Sequence, residues 1–187
     1  QHKKCKGIYG AMNQGLDCLN NFKWVLFWGS DDWATNNNAL ENMITFIEKD
    51  FENKDNKTPD LVFFNGIYIK RNSGIKSRIA RFESSKISLG QYEYKRELFF
   101  GSIPPHQATL FNSKIFDEIE GFDDKFKLTS DLDFFLKVRS KNDLKILVSN
   151  QNLVCMSDDG ISARNSNLRF KEVIKTYFIH YKYLFIF

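Results

Sequence analysis

Trp24-Val25-Leu26-Phe27-Trp28-Gly29-Ser30-Asp31-Asp32-Trp33 is the stretch on which the fold turns. Its apolar half reads as a buried strand over residues 23–28, too short for a helix and rich in aromatic and β-branched side chains. Two adjacent carboxylates follow, at the position where open α/β sheets place their ligands, the carboxyl end of a strand. Hard divalent cations prefer oxygen, and Mg²⁺ typically takes one or two carboxylates and leaves its other positions to water and substrate phosphates. Asp31 and Asp32 therefore read as a seat for a metal-bound diphosphate. The same pair also reads as a solvated turn that caps the next helix, because Asp is common in turns and at N-caps.

Working outward, residues 8–19 place Ile8, Met12, Leu16 and Leu19 at helical spacing. Residues 38–51 repeat the pattern, with Leu40, Met43, Ile44, Ile47 and Phe51 expected inward. Residues 61–69 form a continuous β-rich run with the character of a central strand. Asn72-Ser73-Gly74 is a turn signal leading into a second strand over 75–82. Residues 84–100 resist assignment. After Pro104-Pro105 a short strand is expected over 107–111, then a short helix over 113–119 capped by Ser113. Ser130 is expected to cap a helix running to about residue 140. Strands follow at 144–148 and 153–156. A final helix from about residue 168 carries Ile174, Tyr177, Phe178 and Tyr181 on one side. Alternating strands and helices imply an α/β fold, and the turn at 72–74 implies a mixed sheet.

The 187 residues suffice for one domain with a substantial core. Hydrophobic content of 42% and charged content of 27% are ordinary for a globular protein. The net charge of +4 comes with acidic residues spread throughout, so no basic stripe suggests nucleic acid as a partner. Cys5, Cys18 and Cys155 are widely spaced with no CxxC, which argues against a zinc knuckle or a disulfide framework and for a reducing, cytoplasmic setting. The opening Gln1-His2-Lys3-Lys4 is not a signal peptide, and no stretch approaches the roughly 20 apolar residues of a membrane span. The terminal helix carries Arg169, Lys171, Lys175 and Lys182. It has the composition to lie on the anionic inner face of a cytoplasmic membrane, or equally to be a solvated face.

Four segments stand in order: Gly7-Ile8-Tyr9-Gly10-Ala11-Met12-Asn13-Gln14-Gly15, then Ser30-Asp31-Asp32, then His106-Gln107-Ala108-Thr109, then Gly121-Phe122-Asp123 through Ser130-Asp131-Leu132-Asp133-Phe134-Phe135. This order resembles the family-2 inverting glycosyltransferases of GT-A fold, particularly the bacterial type that builds exopolysaccharide and lipopolysaccharide. The resemblance implies a GT-A-like, mostly parallel mixed sheet flanked by helices. It divides the chain into a catalytic unit over 1–167 and a C-terminal amphipathic helix over 168–187. It also implies transfer of a sugar from a nucleotide-sugar donor to a glycan or lipid-linked acceptor, with Mn²⁺ or Mg²⁺ as cofactor.

Role by role, the resemblance makes Asp31 and Asp32 the metal-binding pair, with Asp31 also against the donor. It places Asn13 and Gly15 beside the nucleotide and lines the donor pocket with His106 and Gln107. Asp131 becomes the general base on the acceptor hydroxyl, and its place at a helix start favours the anion that a base must be at neutral pH. Asp159-Gly160-Ile161-Ser162 resembles a late glycine-serine loop, giving Gly160 and Ser162 to the substrate. Each residue has a plainer reading: Asp131 as a helix-terminal charge, Asp133 as a surface or supporting group, His106 as a packed loop histidine, residues 7–15 as an amphipathic helix, Trp28 and Trp33 as packing.

The chain departs from the family pattern at three places. The βαβ unit that holds the nucleotide's base and ribose has no counterpart ahead of Gly7, so an N-terminally truncated sheet with an exposed strand edge is expected. Cys5 and Gly10 stand where the family often carries Asp, and Ser130 where many members carry Glu. The apolar run Tyr183-Leu184-Phe185-Ile186-Phe187 also reads as cut. A non-catalytic remnant of such an enzyme, or a membrane-surface interaction module, are the alternatives to an enzyme.

Overall fold

The computed structural model describes residues 7–53 and 57–181. Cys5, Lys182, residues 183–187 and the side chain of Phe51 lie outside the described residues. The elements run α1 (Gly7–Cys18), β1 (Trp24–Leu26), β2 (Trp33–Ala34), α2 (Ala39–Asn53), β3 (Leu61–Ile69), β4 (Lys76–Ala80), β5 (Ser88–Leu89), α3 (Gln91–Phe99), a 3₁₀ turn (His106–Ala108), β6 (Thr109–Asn112), α4 (Lys114–Glu118), α5 (Ser130–Val138), β7 (Ile146–Ser157), α6 (Ile161–Arg164) and α7 (Ser166–Tyr181).

Among the described residues the strands form one sheet in the order β1-β6-β3-β7-β2, with β4 added to β3 and β5 to β7. The mixed α/β sheet flanked by helices is the expected class. The expected parallel majority is not found: β3 and β7 run parallel, and the other pairings are antiparallel. Alternating strands and helices do not carry strand direction, and antiparallel neighbours need only short connections. The sheet ends at β1, whose pairing is to β6 on one side.

Side-chain alternation along the strands splits the interior into two cores. Leu61 and Phe63 of β3 join Phe111, Ile146 and Val148 under α1, α3, α4, α5 and α7. Val62 and Phe64 join Leu110, Leu147 and Val154 under α2. The phenylalanine surplus goes to the first core, where Phe111 contacts Phe27, Phe116, Phe122, Phe134 and Phe135 at centroid distances of 5.6–6.3 Å.

Several local expectations change. In α2, Ala39, Met43 and Ile47 are buried while Leu40 and Ile44 are exposed, so the buried stripe is narrower than the pattern suggested. In α1 the buried pair is Tyr9 and Met12, with Ile8 exposed, and Leu19 lies past the helix end and is exposed too. Residues 84–100 resolve into β5 and α3, anchored by fully buried Tyr94, which donates to the Phe135 carbonyl at 3.0 Å. The segment 106–108 is a 3₁₀ turn rather than strand, held by Ala108 N–H and Thr109 Oγ1 donating to the Pro105 carbonyl. Ser113 makes no side-chain cap; Asn112 Oδ1 accepts the Lys114 N–H instead. Ser130 is the first residue of α5 rather than its cap, and its buried hydroxyl has no partner among the described residues.

The strands expected at 144–148 and 153–156 are one element, β7, broken by a bulge. Between Phe63↔Val148 and Gly66↔Val154, β3 advances three residues while β7 advances six. The expected turn into β4 is present: Gly74 takes φ +65°, and its N–H donates to the Lys70 carbonyl at 2.8 Å.

The terminal helix α7 packs onto the fold through Tyr177 and Tyr181, while Ile174 and Phe178 stay exposed. Buried Glu172 accepts the Lys127 N–H at 3.0 Å, the Leu128 N–H at 2.8 Å and the Thr129 hydroxyl at 3.4 Å. His180 pairs with Asp133 at 2.8 Å, and Tyr177 donates to the Leu98 carbonyl at 3.1 Å.

Candidate functional site

Asp131 stands in the first turn of α5, a helix whose other residues are mostly buried, so the backbone that carries it is rigid. Its Oδ1 accepts the Tyr9 hydroxyl of α1 at 3.0 Å and the Leu132 N–H at 2.9 Å. Its Oδ2 lies 3.1 Å from His106 Nδ1. A carboxylate offers about four lone-pair positions. Three are occupied, and the fourth, on Oδ2, is open on a side chain that is 22% exposed. Burial works to raise the Asp131 pKa, but the His106 hydrogen bond and charge, with the Leu132 and Tyr9 donors, outweigh it and hold the group below the usual carboxylate range. Tyr9 is pushed the other way, by its own burial and then by the Asp131 charge, so it stays a neutral donor.

The acidic pair sits in a tight turn after β1. Gly29 N–H donates to Asp32 Oδ2 at 2.6 Å, and Asp32 N–H donates back to the Gly29 carbonyl at 3.2 Å. A side chain at Gly29 would meet Asp31 Oδ1 and Asp32 Oδ2, each at 3.1 Å, so the two carboxylates converge over this glycine. Burial raises the Asp32 pKa; the Gly29 N–H opposes, Asp31 adds to the rise, and His106 lowers it. His106 is therefore coupled electrostatically to Asp131 and to Asp32. Neither acid caps α2; that start is organised by Asn36, whose Oδ1 accepts the Asn38 N–H at 2.9 Å.

The other expected site residues divide. Gln107 belongs to the same turn as His106, and its carbonyl accepts the Trp28 indole N–H at 2.9 Å, which joins β1 to that turn. Asn13 directs its amide at backbone: Nδ2 donates to the Phe122 carbonyl at 2.7 Å and Oδ1 accepts the Phe122 N–H at 2.8 Å. Through Phe122, which stacks on Tyr9 at 5.8 Å, Asn13 supports the Asp131 cluster. Gly15 is exposed on α1 with open space about its Cβ position. Gly160 precedes α6 and Ser162 lies in it, beside Asp159, which pairs with Arg164 at 2.9 Å. Among the described residues no hydrogen bond or ion pair joins Gly15, Gly160 or Ser162 to the Asp131 cluster.

Sequence reasoning missed Tyr9, whose one signal was its place in the 7–15 segment. It also missed Glu172 and the role of Asp133. Asp133 is 2% exposed and held by His180 and by Lys137 at 2.7 Å. These pairings span more than forty residues of chain or one buried helix turn, and no local pattern announces them.

No protein-family model matches the chain, and no curated protein matches it. Solved structures do match. The chain is similar to S. aureus TarS, a glycosyltransferase. For TarS 1–349 the TM-score is 0.56 at 17% identity, over 84% of this chain and 42% of that one. For TarS 1–349 in complex with UDP it is 0.59 at 16% identity, over 96% and 46%. For TarS it is 0.57 at 15% identity, over 95% and 32%. The chain thus spans less than half the length of the structures it matches, and at this identity the likeness is one of fold. Its mixed sheet flanked by helices matches the fold of these TarS structures.

Proposed function

We propose that the chain carries the acceptor-activating and diphosphate-binding part of a family-2-like inverting glycosyltransferase. It would move a sugar from a nucleotide-sugar donor to a glycan or lipid-linked acceptor. The observation that carries this reading is geometric: His106 lies against Asp131, and the next residue, Gln107, holds Trp28 at the start of the turn that bears Asp31 and Asp32, so the proposed base and the acidic pair sit on hydrogen-bonded segments. The fold shared with a UDP-bound TarS structure supports it.

In this reading the open position on Asp131 Oδ2 accepts the acceptor hydroxyl proton. The freed oxygen attacks the anomeric carbon from the face opposite the diphosphate, and the bond to the diphosphate oxygen breaks. Tyr9 and His106 hold the carboxylate in place and keep it ionised. Among the described residues no group of three or more His, Cys, Asp or Glu could hold a metal ion. The converging, mutually repelling Asp31 and Asp32 fit a hard divalent cation that takes its remaining ligands from phosphate and water. Bound there, Mn²⁺ or Mg²⁺ would neutralise charge developing on the leaving diphosphate.

Titration calorimetry with UDP, GDP and dTDP, with and without Mn²⁺, tests the reading. Metal-dependent heat from one nucleotide, lost in Asp32→Ala and kept in Asp131→Asn, is expected. No heat from any of the three would overturn the reading and leave a non-catalytic remnant. A second reading, peripheral membrane contact, is favoured by the exposed stripe Phe170, Ile174 and Phe178 beside Arg169, Lys171 and Lys175. No helix among the described residues is long and apolar enough to cross a membrane. Co-sedimentation with anionic but not zwitterionic vesicles would support surface contact, and equal partition would remove it.

A further inference from the structure

The bulge in β7 carries the strongest unassigned feature of the molecule. Residues 146–149 and 153–156 of this strand are buried, but Asn150, Gln151 and Asn152 between them are exposed. Bulges re-aim side chains, and this one is held by dedicated groups. Asn65, only 7% exposed, donates to the Asn150 carbonyl at 2.8 Å. Ser149, 4% exposed, accepts the Gln151 N–H at 3.2 Å. Thr35 donates to the Asn152 carbonyl at 2.7 Å. Two buried polar side chains and a third from the neighbouring chain segment therefore hold three consecutive carboxamides outward, a costly arrangement if those amides served only to face water.

The presented amides line a cleft of about 290 Å³ with Asn36 and Asn42, over a floor that includes buried Phe64 and Leu153. No ionisable side chain lines it. Asn36 is pre-set by its bond to the Asn38 N–H. The side chains of Asn42, Asn150, Gln151 and Asn152 make no hydrogen bond to another described residue. A carboxamide offers donors and an acceptor together, which matches the mixed donor and acceptor character of a hydroxyl. A charged ligand would have nothing here to pair with. The cleft adjoins the candidate site along the chain: Asn36 is four residues from Asp32, no more than roughly 14 Å of extended backbone. Trp33, 49% exposed, stands between them with a flat apolar face.

We infer that this amide cleft binds a neutral, hydroxyl-rich oligosaccharide, and that it serves as a distal subsite for a glycan acceptor whose reacting end lies at Asp131. The binding claim stands on the cleft alone, and the acceptor role rests on the transfer reading above. ¹H–¹⁵N spectra of the full chain, titrated with maltotetraose, chitotetraose and the acidic tetragalacturonate, test it through the side-chain amide signals. Either neutral tetramer is expected to shift the amide signals of the cleft. Asn42→Ala/Asn152→Ala, at exposed positions, is expected to weaken that binding by about tenfold or more. Tetragalacturonate is expected to leave the signals unmoved.

No shift with either neutral tetramer up to about 20 mM, an equal response in the double variant, or equal binding of the acidic tetramer would overturn the inference. UDP heats recorded on the same samples separate the two ideas. Retained nucleotide binding without glycan binding removes only the cleft. Glycan binding without nucleotide binding removes the transfer reading and the acceptor role.

Discussion

Glu172→Gln is the most informative single perturbation of the scaffold behind Asp131. The two Glu172 oxygens are both used: Oε1 accepts from Lys127 N–H, and Oε2 from Leu128 N–H and the Thr129 hydroxyl. The side chain is 8% exposed, so water replaces none of these bonds readily. A glutamine keeps the shape but has a single acceptor oxygen. Its best orientation keeps Leu128 and Thr129 and turns an NH₂ donor toward the Lys127 N–H. The change converts charge-assisted bonds to neutral ones and leaves one amide N–H without a partner, a loss of about 3 kcal/mol. In a chain of this size that corresponds to a Tm lower by about 6–12 °C. Urea titration should show a lower midpoint with an unchanged slope, the signature of a stability loss without a change in the surface exposed on unfolding. Glu172→Gln within about 0.5 kcal/mol of wild type would refute the reasoning, because the 127–129 segment would then not depend on this carboxylate.

Other predictions follow from the same geometry. Asn13→Ala removes both bonds to Phe122 and should cost about 2–3 kcal/mol by denaturant titration, since it leaves a buried N–H and C=O unpaired; a loss below about 0.5 kcal/mol would mean that this clamp is dispensable. Asp32→Asn should leave Tm unchanged or higher while removing metal-dependent nucleotide heat, because burial and Asp31 disfavour the Asp32 anion; a lower Tm would contradict that electrostatic account. Burial raises the Asp133 pKa, but His180 and Lys137 more than offset it and bring it below the ordinary value of 3.8. Its stabilisation is therefore complete above that value and lost as pH falls through the folded-state pKa, so Tm measured against pH should drop only below about pH 4. In Lys137→Met the folded-state pKa moves back toward the ordinary value, so the acid drop should be shallower, and an acid limb as deep as that of wild type would count against the pairing.

Much of the frame is legible in the chain itself. The nine-residue run of β3 is apolar enough to be central, and it is. The turn at Gly74 requires a positive φ that glycine supplies, and residues 72–74 read as a turn for that reason. The acidic pair after β1 and the acid-led helix at Asp131 are visible because a strand end and a helix start are local patterns. What was misread shares one cause. Residues 149–152 fall outside the two strands expected at 144–148 and 153–156, since three amides interrupt an apolar run. The structure keeps them within one strand because Asn65 and Thr35, distant in sequence, take up the carbonyls of Asn150 and Asn152. Ile174 and Phe178 fit an inward helical stripe equally well, yet α7 turns Glu172 and Thr176 inward because the N–H groups of Lys127 and Leu128 require an acceptor there.

Hydrophobic period and turn chemistry locate most of the strands and helices and the carboxylates at their ends, because those signals act over a few residues. Strand direction, the pairing of Asp131 with Tyr9 and His106, and the bulge that opens the amide cleft belong to tertiary structure alone. Each depends on hydrogen bonds between groups 25 to 122 residues apart in the chain, and such partners are chosen by packing rather than by their neighbours in sequence.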